Sequence, residues 1–254
     1  MESDKLYRVE KKDLPKLEEL LLHCFRRDPL YETLIPDPDV RERLMPELFH
    51  CDMEEFFATC EIFSDSEELR GILVVSDEEK PRPLFHYLFS EVKAALATDS
   101  CLLKEDPSLQ TLRNFHKGKE YLNSHWTEQL HQQKRLHIIY LAVDPRAQHH
   151  GIAALLMEEA IACAERAGEM LSLETHNPHN LEFYQKFGFE VYEVLEKEFS
   201  LKQYCLIRRT AGVEFSRPAL TDGYRSPARN EHAAEPPRGP LARLEAAAPK
   251  KHFV

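Results

Sequence analysis

Between Val143 and Ile161 the chain reads VDPRAQHHGIAALLMEEAI, a proline turn and a glycine followed by small residues, directly behind an apolar run. A helix that starts in such a place gathers unpaired backbone N–H groups and the positive end of its dipole, which suits an anion. Gly151 removes a Cβ there, Ala153 and Ala154 keep the first turn low, and the long side chains begin at Leu155. The ligand implied is a phosphate or pyrophosphate, although close packing of a helix on its strand would use the same small residues. Because a helix start tolerates most residues sterically, bulk at Gly151 is expected to obstruct the anion and spare the fold. No GxGxxG and no GK[ST] is present, so the usual dinucleotide and nucleoside triphosphate loops are missing. His149, His150, His176 and His179 lie on separate loops with no carboxylate or cysteine at ligand spacing, so no metal is expected.

Periodicity supplies the elements that must position this loop. The run RLHIIYLAV is β-branched and long enough for a buried central strand, and the helix behind it runs from Gly151 to Ala167. A strand (EMLSLET), a turn (HNPHN), a short helix (LEFYQKF) and two more strands (FEVYEVLE, FSLKQYCLIRR) follow. Upstream, KLYRVE reads as a short strand and DLPKLEELLLHCF as a helix with Asp13 as its N-cap and Leu17, Leu20, Leu21 and Cys24 on its apolar face. IPDPDVRERLMPELFHCDMEEFF continues as helix, and CEIFSDSEELRGILVVSD as two strands, so the opening is β-α-α-β-β. From Pro83 to Gln133 the chain is helical and aromatic-rich, with breaks near Asp99 and Asp106-Pro107, and reads as an insertion before the central strand.

These residues resemble a known family. Gln148-x-x-Gly151-Ile152-Ala153 is similar to the Q/R-x-x-G-x-G/A pyrophosphate loop of the GNAT superfamily of acetyl-CoA-dependent N-acetyltransferases, and NPHNLEFYQKFGFEV is similar to its N-x-x-x-F-Y-x-x-x-G-F segment. The resemblance covers about Leu6 to Arg209 and looks most like the branch of puromycin-type small-molecule acetyltransferases. His149 and His150 stand where Arg, Lys or Gly is common in that family. What the resemblance implies is an α/β GNAT fold, with a mixed, mostly antiparallel sheet flanked by helices and the helical insertion before the central strand. It implies acetyl-CoA as co-substrate, held by Gln148, His149, His150, Gly151, Ile152 and Ala153. It further implies that backbone groups of Leu141, Ala142 and Val143 splay from the adjacent strand to hold the thioester and pantetheine, with Asn180 bonding the pantetheine arm. Tyr184 matches the family's acid position, and His137 stands where histone-type members carry a glutamate.

The chemistry of such a transfer makes its own demands. An amine of pKa about 10.4 needs about 4–5 kcal/mol to lose its proton at neutral pH, so a base or a water relay helps. His137 begins the central strand, and period-2 alternation puts it on one face with Ile139 and Leu141. Glu174, on the next strand, is the second candidate base. The departing thiolate is helped by an acid, and the Tyr184 phenol keeps its proton at neutral pH. No cysteine sits in a nucleophile motif, so the amine is expected to attack acetyl-CoA directly in a ternary complex.

Composition narrows the partners. The net charge is −11, which argues against nucleic acid or anionic membrane and favours a cationic ligand. Phe85, Tyr87, Phe89 and Trp126 could form an aromatic wall for an organic cation, with Glu91 and Glu128 adding charge, although core packing is the expected role for most of these rings. The N-terminus has no apolar signal region, no window suits a membrane span, and the six cysteines are scattered, so a cytoplasmic protein with reduced thiols is expected. Residues 1–211 read as one N-acetyltransferase domain. Residues 212–254, rich in Pro, Ala and Arg, read as a disordered tail. The expected reaction is acetylation of a primary amine of a small molecule. The competing readings are a protein or peptide N-acetyltransferase and a non-catalytic acyl-CoA-binding regulatory module; a homodimer is left open.

Overall fold

The computed structural model describes residues 1–77, 100–130 and 134–210. Their strands are β1 (Tyr7–Arg8), β2 (Glu61–Ser64), β3 (Gly71–Asp77), β4 (Arg135–Val143), β5 (Met170–Thr175), β6 (Glu190–Glu196) and β7 (Lys202–Arg208). They form one sheet in the order β1-β2-β3-β4-β5-β7-β6. Only β4 and β5 pair in parallel, joined by a helical crossover; every other pair is antiparallel. The sheet is therefore mixed and mostly antiparallel, with helices on both faces.

The helices are α1 (Leu14–Phe25), α2 (Pro29–Leu34), α3 (Pro38–Thr59), α4 (Gln110–Lys117), α5 (Ile152–Ala167) and α6 (Leu181–Lys186), with a further helical stretch at 100–105. On one face α1 and α3 bury Leu17, Leu21, Met45 and Phe49 against Ile72, Val74 and Ala142. On the other, Leu156, Met157 and Ala160 of α5 pack on Leu73, Val75, Leu136 and Leu173. The apolar face expected of α1 is the one buried. Asp13 does not cap that helix by its side chain: it accepts from Glu10 N–H at 3.0 Å and Tyr7 O–H at 2.9 Å, closing the 3₁₀ turn before it. The extra helix α2 was hidden in RRDPLYETL; Asp28 caps it by accepting from Leu30 N–H. The expected break at Asp106-Pro107 falls between 100–105 and α4, while the one near Asp99 lies outside the described residues, as does the tail from 212.

One feature of β4 departs from simple alternation. Its pairing with β3 matches Tyr140 to Val74 and Ile138 to Val75, leaving Ile139 as an extra residue in a β-bulge. Ile139 and Tyr140 consequently both face the α1/α3 side, and Leu141 turns to the α5 side. The expectation that His137, Ile139 and Leu141 share a face is thereby corrected, because the extra residue resets the period. No helix among the described residues is long and apolar enough to cross a membrane.

Candidate active site

The loop behind β4 is built by local hydrogen bonds. Asp144 accepts from Arg146 N–H at 2.8 Å and pairs with its guanidinium at 2.7 Å, fixing the 3₁₀ turn Pro145–Ala147. His149 and Gly151 both take left-handed backbone conformations, with φ of +65° and +81°. The first helical hydrogen bond of α5 runs from Leu155 N–H to Gly151 C=O at 2.9 Å, so the N–H groups of Ile152, Ala153 and Ala154 lie ahead of it at the helix end. A Cβ added to Gly151 would meet nothing within 4 Å, but the +81° backbone is strained for any other residue. Bulk there therefore perturbs the empty protein too, contrary to the steric expectation. The glycine that permits close helix packing is Gly71, where a Cβ would stand 2.5 Å from Ile152 Cγ2.

The parallel pairing of β4 with β5 ends at Ile138 and Leu173. Beyond it β4 stays with β3 as far as Val143, and β5 stays with β7 as far as Thr175, so the two strands part. Two clefts open on either side of this gap. One, of about 250 Å³, runs from Leu141 and Val143 along Gln148, His149, Gly151, Ile152 and Ala153. The other, of about 320 Å³, reaches between α2, α3 and the stretch from Phe115 to Ser124. Leu141, Asn180 and Tyr184 line both. Of the remaining expected cofactor contacts, Ala142 is buried toward α1 and offers its backbone alone, and exposed His150 turns Nδ1 to the Gln148 carbonyl at 2.8 Å.

Tyr184 is 6% exposed, and its hydroxyl has no hydrogen-bond partner among the described residues. Burial, with the charge of Asp28 adding to it, raises its pKa, so the phenol keeps its proton. Asn180, also buried, donates to Thr175 Oγ1 at 3.2 Å. The two candidate bases are partners: His137 Nε2 lies 3.1 Å from Glu174 Oε2 and 2.9 Å from Ser124 Oγ, while Nδ1 lies 2.8 Å from Ser172 Oγ. Burial pushes the Glu174 carboxyl up, but the His137 charge and hydrogen bonds from His137, Trp126 and Ser124 outweigh it and hold the group below the usual range.

Trp126, weighed between an aromatic wall and core packing, is buried behind Glu174, donating Nε1–H to it and tilting against Tyr192 with ring centroids 5.8 Å apart. Glu128 is exposed. Phe85, Tyr87, Phe89 and Glu91 lie outside the described residues. Rings from the other helices line the larger cleft: Phe25, Tyr31 and Phe56, with Tyr140 from the bulge. Asp28 and Asp52 also open into it, and neither was singled out from the sequence. The Asp-Pro pair ahead of α2 was a signal for Asp28; Asp52, inside an acidic helix, carried none. No group of three or more His, Cys, Asp or Glu side chains among the described residues is arranged to hold a metal ion.

Residues 120–191, from the end of the insertion to the start of β6, match the family model of the acetyltransferase (GNAT) domain. Over that segment the chain is similar to a GNAT acetyltransferase domain. Among solved structures, a histone acetyltransferase HPA2 and related acetyltransferase from Corynebacterium glutamicum is similar to it with TM-score 0.54 and 16% identity, over 85% of this chain and 98% of that one. A putative GNAT acetyltransferase from Desulfovibrio desulfuricans reaches 0.45 at 13% identity, over 80% and 97%. A mosquito arylalkylamine N-acetyltransferase like 5b reaches 0.46 at 12%, over 80% and 98%. The first of these likenesses supports the GNAT fold.

Proposed function

We propose that this protein moves the acetyl group of acetyl-CoA to a primary amine of a small molecule, by direct attack in a ternary complex, as a cytosolic enzyme of the puromycin-type branch. The observation that carries the reading is the meeting of the two clefts at Leu141, Asn180 and Tyr184, where β4 and β5 part. In this reading the pyrophosphate lies on the Gln148–Ala153 loop and the pantetheine passes through the gap beside Asn180. Backbone groups of Leu141 to Val143, released from β5, hold the thioester. The acceptor enters from the larger cleft, whose walls from α2, α3 and the Phe115–Ser124 stretch favour a small molecule over a peptide tail.

As the amine nitrogen bonds to the thioester carbon, its proton passes through the Ser124 hydroxyl to the His137–Glu174 pair, whose nearest atoms lie 3.1 Å apart. The carbon–sulfur bond then breaks, and Tyr184 gives its proton to the sulfur. Tyr184→Phe should lower kcat on the order of 100-fold while acetyl-CoA binding changes little, because only a proton is removed. Thiol release across panels of small amines and peptides, with an acetyl-CoA titration of both proteins, tests this. Unchanged turnover in Tyr184→Phe would remove the acid role, and faster acetylation of peptides than of any small amine would overturn the acceptor class.

A further inference from the structure

Two carboxylates open into the acceptor-side cleft without a cationic partner among the described residues. Asp28, at the head of α2, is 8% exposed and uses Oδ1 to accept from Leu30 N–H at 2.9 Å. Asp52, on α3, is partly buried and accepts from the Tyr140 hydroxyl at 2.9 Å, which stands 3.3 Å from that of Tyr31. The third carboxylate on the wall, Glu174, accepts from Trp126 Nε1–H and has His137 Nε2 at 3.1 Å. His176, also on the wall, is kept neutral, its pKa driven down to about 4 by burial. Burial pushes Asp28 and Asp52 each up to about 6, against one hydrogen bond apiece, which leaves both mostly ionised at neutral pH. The cleft wall therefore carries two carboxylates that no cationic side chain among the described residues matches, and such charges are costly to bury unless a cation pairs with them.

Their placement gives them separate tasks. Tyr184, which lines both clefts, marks the reacting end, and the charge of Asp28 acts on it. Asp52 sits with Tyr140 and Tyr31, and the wall between is aromatic, including Phe25, Phe56 and Phe115. Building on the small-amine reading above, we infer that the acceptor is a diamine: an apolar spacer with one amino group presented near Asp28 and Tyr184, and a second held as an ammonium by Asp52.

The test is thiol release from acetyl-CoA with a series of α,ω-diaminoalkanes and the n-alkylamines of equal chain length. For the parent protein, kcat/KM should favour the best diamine over its alkylamine on the order of 30-fold, the cost of leaving one buried charge unpaired. Asp52→Asn keeps an oxygen for Tyr140 to donate to, and it should abolish most of that ratio. Glu32→Gln, which removes an exposed charge on the same helix as Asp28, should leave the ratio as it is. Alkylamines used as well as diamines, or a ratio that survives Asp52→Asn, would overturn the inference while leaving small-amine acetylation standing. Should Asp52→Asn fail to fold, calorimetric titration of the parent with both series in the presence of CoA decides, since equal affinities also overturn it. If only peptides are acetylated, the small-amine reading itself falls, and this inference with it.

Discussion

Gly151 offers a way to separate what the loop does for the fold from what it does for a ligand. Its φ of +81° puts any other residue under strain, yet a Cβ there meets nothing within 4 Å. Gly151→Ala should therefore cost about 1–2 kcal/mol of stability from the left-handed backbone alone, and Gly151→Glu about the same, since neither side chain is crowded. Binding should divide them. A glutamate here sets a negative charge at the helix start proposed to hold the phosphate, and at a near-surface dielectric two like charges a few ångströms apart repel by about 1–4 kcal/mol. Acetyl-CoA should bind Gly151→Glu on the order of tenfold or more weakly than Gly151→Ala. Added salt should narrow that gap, because screening acts over about 8–10 Å. Denaturant unfolding measures the first quantity and equilibrium titration with acetyl-CoA the second. Equal acetyl-CoA affinities for the two variants would refute the anion site. A Gly151→Ala protein as stable as the parent would refute the backbone argument.

Gly71→Ala should destabilise by about 1–3 kcal/mol, as overpacking does, because its Cβ would press on Ile152 Cγ2 at 2.5 Å and on the Ala142 carbonyl at 3.3 Å. It should also weaken acetyl-CoA binding by shifting the start of α5; a melting temperature equal to the parent's would show that the contact yields. For Glu174→Gln the sign follows from a folded-state pKa below the unfolded value. The carboxylate contributes stability above about pH 4.3 and loses it as pH falls through the folded pKa. The variant should thus be less stable near neutrality and approach the parent in acid. Denaturant midpoints across that range check this, and a gap independent of pH would contradict it.

Where a signal was local, the sequence carried it. The proline turn, Gly151 and the small first turn of α5 announced a helix start and suggested the anion site proposed above, and β4 was plain as a β-branched run. The bulge at Ile139 was not, since RLHIIYLAV is apolar at nearly every position and no glycine or polar residue marks the extra one. That His137 and Glu174 are partners depends on the parallel register of β4 and β5, which aligns His137 with Ser172 and is fixed only by the folded sheet. Asp52 lies 88 residues from the Tyr140 whose hydroxyl it accepts, and nothing in α3 distinguishes it from its acidic neighbours. Trp126 was legible as core aromatic surface, but the donation of its indole N–H to Glu174 depends on the folded sheet and had no sequence signal.

The strand order β5-β7-β6 has a consequence for how this chain folds during synthesis. β7, the last strand among the described residues, lies between two strands made before it, pairing Leu171 with Arg208 on one side and Glu190 with Ile207 on the other. Until residues 202–208 leave the ribosome, β5 presents an open edge alongside Glu174, and β6 has no neighbour to pair with. Until then the half-made domain exposes an unpaired, aggregation-prone edge. A chain stopped before Lys202 does not lose a peripheral strand. It leaves β6 cut off from the rest of the sheet, and the gap between β4 and β5 without the support that holds its second wall.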